Sequence, residues 1–510
     1  MDQFENFVMA WFRVAAVGCC LAIATAGPQG SAAEELASFA PGPAPSAVVT
    51  SNSPRESMPA TATAETAEAK DSNPAACERS HAVNLPVIKA FLRPPTNNPL
   101  DSYTYIAGIK CREKGFLKQD TMIQSGIKEF EELANKGLRM EFTYFPDMTW
   151  SSFGPPAYSA MYVTSMDLYT GQTGVLWQNG QVHLTGSGWN GNAYNSPANQ
   201  SFKAEGVPPL NNWRLFELWY GHKLSPQLEL RVGKIYPWVK FASHQTSGIF
   251  QNLGFDYPGL YGTTQFTGNF LPFAGAPLGA QLSYNPNSHH QFLLHIADGK
   301  DDGSGGYKIA LSDLSLSPED GVEIIAEYAY LDHSTDPKKL PGYYKIGFQG
   351  NTGQFFNFRT GNTENGSYGG YVTLEKMLYA EPNTEIPRSQ GLMGFMKFSG
   401  TSGTNTVVNL VTSAGLSYAG LFPGRDSDMA GIGVAYSQFN SYAASFYANS
   451  LGLQPSTGET ALEAVYLAQL TPWLMVIGSY QYVITPSSMG ATNPAIPSGH
   501  VVLLNTRISF

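Results

Sequence analysis

From Leu138 to the C-terminus, apolar and polar side chains alternate with a period of two in one segment after another. Period two is the repeat of a β-strand whose two faces meet different surroundings. The last segment shows it plainly: Val502, Leu504, Thr506, Ile508 and Phe510 fall on one face, Leu503, Asn505, Arg507 and Ser509 on the other. In 322–331, Val322, Ile324, Ala326, Tyr328 and Tyr330 oppose Glu323 and Glu327. In 342–350, Tyr344, Ile346 and Phe348 oppose Lys345 and Gln349. About sixteen strands follow, near 138–146, 160–169, 175–185, 213–223, 227–235, 277–285, 290–297, 322–331, 342–350, 369–378, 391–399, 411–420, 429–438, 459–470, 473–484 and 500–510. Most are about 9–11 residues long, the length a tilted strand needs to cross a bilayer.

The connections alternate in length. Thr170–Gly174, Leu224–Pro226, Asn285–Asn287 and Thr471–Pro472 are short, while 186–212, 236–276, 298–321 and 439–458 are long. Short turns on one side and long loops on the other are the habit of outer-membrane barrels. The expected fold is therefore all-β, a transmembrane antiparallel β-barrel with Phe510 at the periplasmic rim, spanning 138–510. Aromatic rings at strand ends (Tyr236, Trp238, Tyr343, Tyr344, Trp473, Tyr480 and Tyr482) suit an interfacial girdle or ordinary packing.

The N-terminal third reads differently. Val14 to Ala26 is an apolar run of small residues after Arg13, and Ser31-Ala32-Ala33 offers a cleavage site. Residues 1–33 fit a secretory signal peptide, and the acidic Asp2 and Glu5 favour Met9 over Met1 as the start. Residues 34–84, rich in Ala, Pro, Ser, Thr and Glu, cannot bury enough apolar area to order themselves. Residues 85–137 are a periplasmic transitional segment with a short amphipathic helix over Thr121–Asn135. No other run reaches the ~18 apolar residues of a spanning helix.

Composition sharpens this picture. Charged residues are 14% and aromatics 13%, with 52 glycines. A typical soluble domain is about 25% charged. A net charge of −10 argues against nucleic acid as a partner. Past the apolar leader with Cys19 and Cys20, Cys77 and Cys111 either pair in an oxidising compartment or stay as two thiols. There is no HExxH, GxSxG or Walker loop, so no catalytic residues and no cofactor are assigned. His289, His290 and His295 lack a third converging ligand, so they read as turn and strand histidines. The Gly303–Gly306 tip lacks the strand–helix context of a phosphate cradle.

The candidate site is the inside of the barrel. By strand parity Glu217, Glu229, Arg231, Lys345, Gln481 and Arg507 point inward, with Glu323 and Glu327. Charge there faces water, whereas Lys or Arg on the lipid face costs about 2–4 kcal/mol at midplane. These residues either line a pore or brace its wall. The 236–276 connection carries Trp238, Phe241, Phe250, Phe255, Tyr257, Tyr261, Phe266 and Phe270. It either folds into the lumen, offering ring faces to sugars, or packs on itself above the barrel.

Three blocks carry a family resemblance. WRLFELWYGHKLSPQLELRVGKIYPWVKFA (Trp213 to Ala242) resembles the strand pair of the carbohydrate-selective, OprB-type porins. LANKGLRMEFTYFPDMTW resembles that family's first barrel strand, and ETALEAVYLAQLTPWLMVIGSYQYVITP with VVLLNTRISF is similar to its ending. The resemblance implies a sixteen-stranded bacterial outer-membrane porin admitting glucose-type monosaccharides or small oligosaccharides by facilitated diffusion. It places Glu217, Glu229, Arg231 and Lys234 at the family's polar positions. Outer-membrane lipid would surround the barrel. A homotrimer is usual for such barrels, though no residue here specifies it. A general or anion-type diffusion porin is the competing reading, and an outer-membrane enzyme or surface-binding barrel a more distant one.

Overall fold

The computed structural model describes Met122, Ile123 and residues 127–510, apart from 174–176, 192–212, 238–239, 243–245, 256–275, 300–320, 333–338, 383–389, 402 and 488–489. The signal-peptide, 34–84 and Cys77–Cys111 expectations lie outside the described residues, as do Trp238 and Gly303–Gly306.

The barrel strands are β1 (Leu138–Ser151), β2 (Gly154–Tyr169), β3 (Gly180–Gly191), β4 (Trp213–Ser225), β5 (Leu228–Lys234), β6 (Leu278–Asn287), β7 (His290–Asp298) and β8 (Val322–Asp332). They continue with β9 (Gly342–Phe356), β10 (Thr363–Ala380), β11 (Gly391–Thr401), β12 (Val408–Ala419), β13 (Met429–Phe439), β14 (Gly458–Thr471), β15 (Leu474–Ile484) and β16 (Gly499–Ser509). Each pairs antiparallel with its sequence neighbours, and β16 closes on β1. The seam registers Tyr144 with Ile508 and Trp150 with Val502. Closure leaves no strand edge unpaired, which a bilayer requires. No described helix is long and apolar enough to cross a membrane.

The alternation read from the sequence separates the two faces. On β16, Val502 and Leu504 are 44% and 40% exposed, whereas Val501 and Leu503 are buried. On β13, Ile432 and Val434 are exposed outward, while Met429 and Ala435 are buried inward. Inner faces carry Glu229, Arg231, Glu327, Glu375, Lys397, Glu463 and Gln481, all buried.

Some expectations shift. The third strand begins at Gly180 rather than 175, because Thr170–Thr173 forms a helical turn and Asn179 turns the chain at φ 65°. Thr170 Oγ1 fixes that connection by hydrogen-bonding the Gly180 carbonyl. The helix α1 covers only Lys128–Asn135, with no side-chain cap at Ile127. Upstream, the Met122 N–H donates to the Ser509 carbonyl at 2.8 Å, tying this segment to the end of β16. Tyr236 and Tyr343 are buried rather than part of an outer girdle. Among the outward rings that touch are Tyr284–Phe292, Phe292–Tyr328 and Tyr330–Tyr344, with centroids 5.1–6.2 Å apart. They sit toward the short-turn end of β6–β9.

At the opposite end, α2 (Ser441–Leu451) follows β13. Asn440 caps it through Tyr442 N–H, and Gly452, at φ 67°, ends it. Its alanines Ala443 and Ala444 pack on Val407, Val408 and Phe439.

Candidate functional site

The connection after β5 turns inward. Its described parts, Ile235–Pro237, Lys240–Ala242 and Thr246–Phe255, lie on the inner wall and are held there by side chains from eight strands. The alternative, a loop packed on itself above the barrel, does not describe these residues.

The attachment begins at its base. The Tyr236 N–H donates to Glu217 Oε1 at 3.0 Å. Arg231 Nε donates to Glu229 Oε1 at 2.5 Å, and Lys240 Nζ donates to Glu229 Oε2 at 3.2 Å and to Ser283 Oγ at 3.0 Å. Three strands further round the wall, the Ala242 N–H donates to Glu327 Oε2 at 2.6 Å. Ala242 has φ 52°, a left-handed conformation costly for a residue with a Cβ, and this bond helps to hold it. Thr246 donates both its N–H and its hydroxyl to Glu375 Oε1. The N–H groups of Gln251 and Asn252 donate to the two oxygens of Glu463, at 2.7 and 2.9 Å. Asn252 Nδ2 reaches Gln481 Oε1 at 2.9 Å, and Lys397 Nζ donates to the Phe255 carbonyl at 2.5 Å.

Main-chain N–H groups of a non-repetitive segment have no ladder to pair with, and burying them unpaired costs about 1–3 kcal/mol each. Wall carboxylates supply the missing acceptors. In return the donors make burial of those carboxylates affordable, since an unpaired buried charge is costly.

Apolar contact completes the attachment. Phe250 and Phe255 stack at 4.6 Å, and each meets the wall residue Phe395 edge-on, at 5.6 and 6.3 Å. Ile249, Phe250 and Phe255 form one buried cluster with Met393, Met429, Val465 and Leu467. Phe241 is fully buried and meets His295 at 6.3 Å. The rings expected to offer faces to sugars are therefore, where described, glue between loop and wall. Trp238, Tyr257, Tyr261, Phe266 and Phe270 lie outside the described residues.

Beneath the loop's start, inward side chains of β2 to β5 form a continuous brace. His183 bonds Asp167 at 2.8 Å and Thr185 at 2.7 Å, and stacks on Trp219 at 4.7 Å. The Arg231 guanidinium sits over Trp219 at 4.2 Å. Glu217, Glu229 and Arg231 thus belong to one connected group.

The remaining residues singled out from the sequence lie apart. Lys345 Nζ stands 3.8 Å from Glu327 Oε1. Arg507 Nη2 stands 3.9 Å from Glu141 Oε1, near the periplasmic end. Lys234 is buried at the end of β5, opposite Leu218. Gly233 before it has φ 139°, so simple alternation does not carry through to Lys234. Gln481 receives Asn252. Glu375, Glu463 and Lys397 were not singled out from the sequence. Lys397 is the single charge of its strand and could be noticed on that ground, whereas Glu375 and Glu463 share their strands with Lys376 and Glu459 and carry no such signal. Among the described residues no three His, Cys, Asp or Glu side chains converge as a metal site. His290 faces outward to Tyr328, and His295 inward to Phe241.

Lys240 gives the site a pH dependence. Burial, reinforced by the Arg231 charge, pushes its ammonium down to about 8, with Glu229 opposing. Raising the pH through that value removes one positive charge from the loop's base. Reversal potentials in a salt gradient are expected to move toward cation preference, half complete near pH 8. Lys240→Met should abolish the step; a step that survives the substitution assigns it to another group.

A closed sixteen-stranded antiparallel barrel, apolar outside, with a loop pinned inside its lumen, is the architecture of an outer-membrane diffusion porin. Residues 159–510 match the model of the carbohydrate-selective porin, OprB family, and the chain belongs to that family. The high-pH structure of Pseudomonas putida OprB superposes with a TM-score of 0.67 at 19% identity, covering 78% of this chain and 100% of that one. Its low-pH structure gives a TM-score of 0.50 at 16% identity, covering 77% and 99%. No curated protein matches the chain in sequence. The protein is accordingly a sugar-diffusion porin of the bacterial outer membrane.

Proposed function

We propose that neutral monosaccharides and small oligosaccharides cross passively through the lumen left beside the 236–255 segment, which sets the width of the path. The observation that carries this reading is the pinning of that segment by Glu327, Glu375 and Glu463 through its own main chain. A loop so held is a fixed constriction rather than a mobile lid.

The charge pattern supports neutral cargo. The carboxylates that hold the loop are interleaved with Arg231, Lys240, Lys345 and Lys397, which offset their charge in part and leave only an excess of carboxylates spread around the inner wall rather than one ring. A strongly ion-selective pore instead needs a ring of one sign. Toward the periplasmic end, partly exposed Arg139, Glu141 and Arg507 are assigned to the border of the path, where hydroxyl groups find donors and acceptors. Glu217, Glu229, Arg231 and Gln481 act one step back, by holding the loop and its base. The protein does no chemistry on its cargo in this reading.

Single-channel recording in planar bilayers tests it. Modest ion selectivity is expected, with a current that falls reversibly as glucose is added. A strong preference for one ion, with current indifferent to glucose beyond the viscosity effect, favours the general or anion-type porin instead.

A further inference from the structure

The inner wall of β13 lacks side chains where the loop's rings rest. A Cβ at Gly433 would stand 2.6 Å from Phe255 Cε1 and 3.1 Å from Phe250 Cε1. One at Gly431 would stand 2.8 Å from Ile249 Cδ1 and 3.0 Å from Phe250 Cζ. Both positions lie on the inward face, between buried Met429 and Ala435. On neighbouring β12, a Cβ at Gly415 would stand 2.6 Å from Phe395 Cε1, the wall ring against which Phe250 and Phe255 pack. Packed interiors leave no slack for added methyl groups.

We propose that Gly431 and Gly433 are positioning residues for permeation: by leaving a hollow in the wall for Phe250 and Phe255, they set how far the loop stands into the lumen and so the size of sugar admitted. The idea rests on the reading of this loop as the constriction. Three features converge on it. The glycines fall where the rings touch. Glu463 on β14 and Lys397 on β11 hold the loop on either side of β12 and β13, so the loop cannot slide away sideways. Phe250 touches both glycine positions, so a single side chain of the loop reads the depth of the hollow. A side chain placed in the hollow must lift the rings off the wall, and the displaced loop moves toward the path.

Gly431 is the better position to test, because the nearest atoms to its added Cβ are side-chain atoms of Ile249, Phe250 and Val465, not backbone. Gly431→Leu, Phe250→Ala and the double variant are compared with the wild-type protein. Single-channel conductance and swelling of porin-containing liposomes in sugars of increasing size are the readouts. Conductance is counted per channel, so a mere loss of assembled barrel does not move it. Gly431→Leu is expected to lower conductance and to cut sugar entry several-fold, more for a disaccharide than for a monosaccharide. Phe250→Ala in the same chain is expected to restore both, because the leucine then occupies the space the ring has left. Assembled Gly431→Leu with wild-type conductance and size dependence overturns the proposal, as does a double variant no better than the single. If Gly431→Leu does not assemble, Gly431→Ala with the same partner substitution is read by the same criteria. A wild-type channel that conducts ions but excludes every sugar would refute the sugar reading, while the conductance comparison would still judge the hollow.

Discussion

Replacing Glu463 with alanine is expected to free the 246–255 part of the loop and turn a steady channel into a fluctuating one. Both oxygens of this carboxylate accept main-chain N–H groups, from Gln251 and Asn252, and Oε1 also receives the Ser479 hydroxyl at 2.7 Å. Hydrogen bonds to a charged group contribute about 1.5–3 kcal/mol each, so losing the two from the loop weakens its attachment by about 3–6 kcal/mol. A loss of that size raises the population of the detached form by about 10²- to 10⁴-fold. The barrel itself should still assemble, because the cross-strand ladder of β14 does not use the side chain. Recordings should show higher mean conductance with stepwise noise, and liposomes should admit larger sugars. Glu463→Gln should be nearly as disruptive, because its amide presents one acceptor oxygen where the loop needs two. Quiet, wild-type recordings from Glu463→Ala would mean that the loop is held by its rings alone.

The second large effect is expected at Glu327. This residue of β8 accepts the Ala242 N–H and the Tyr371 hydroxyl, each at 2.6 Å, and stands 3.8 Å from Lys345. Glu327→Ala therefore cuts one contact to the loop, one to β10 and one to β9. Removing one member of a buried ion pair costs about 3–5 kcal/mol, because the remaining charge loses its compensation. The folded barrel should unfold at a lower temperature in gel-mobility assays, and reversal potentials should shift toward anions. Glu327→Ala with Lys345→Met should recover the original selectivity but not the loop anchorage at Ala242. A selectivity shift that persists in the double variant would show that Lys345 is not its source.

Much of this was legible in the sequence, for identifiable reasons. Strand parity separates Val502 and Leu504 from Val501 and Leu503 because a barrel wall puts lipid on one side and the lumen on the other. The same parity sets Glu217, Glu229, Arg231, Lys345 and Gln481 inward. The start of the third strand reads too early in the sequence because Val175 to Trp177 resemble strand residues, whereas the true strand, Gly180–Gly191, carries four glycines. Its place is fixed by pairing with β2 and β4, a tertiary effect that propensity does not carry. The roles of the inward charges were not legible. A carboxylate that faces water and one that receives a loop's main-chain N–H look identical in sequence, since the donors have no residue-specific signature. The aromatic loop misled in the same way. Phe250 and Phe255 are compatible with a sugar platform until Gly431 and Gly433 are seen beneath them.

Sugars are expected to pass beside a loop fixed to the wall. Liposome swelling driven by a series of neutral sugars, from monosaccharide upward, tests it most directly in the wild-type protein and in Glu463→Ala. Entry is expected to fall steeply with sugar size in the wild type and markedly less steeply in the variant. Equal steepness in the two, or no sugar entry through channels that conduct ions, would contradict it.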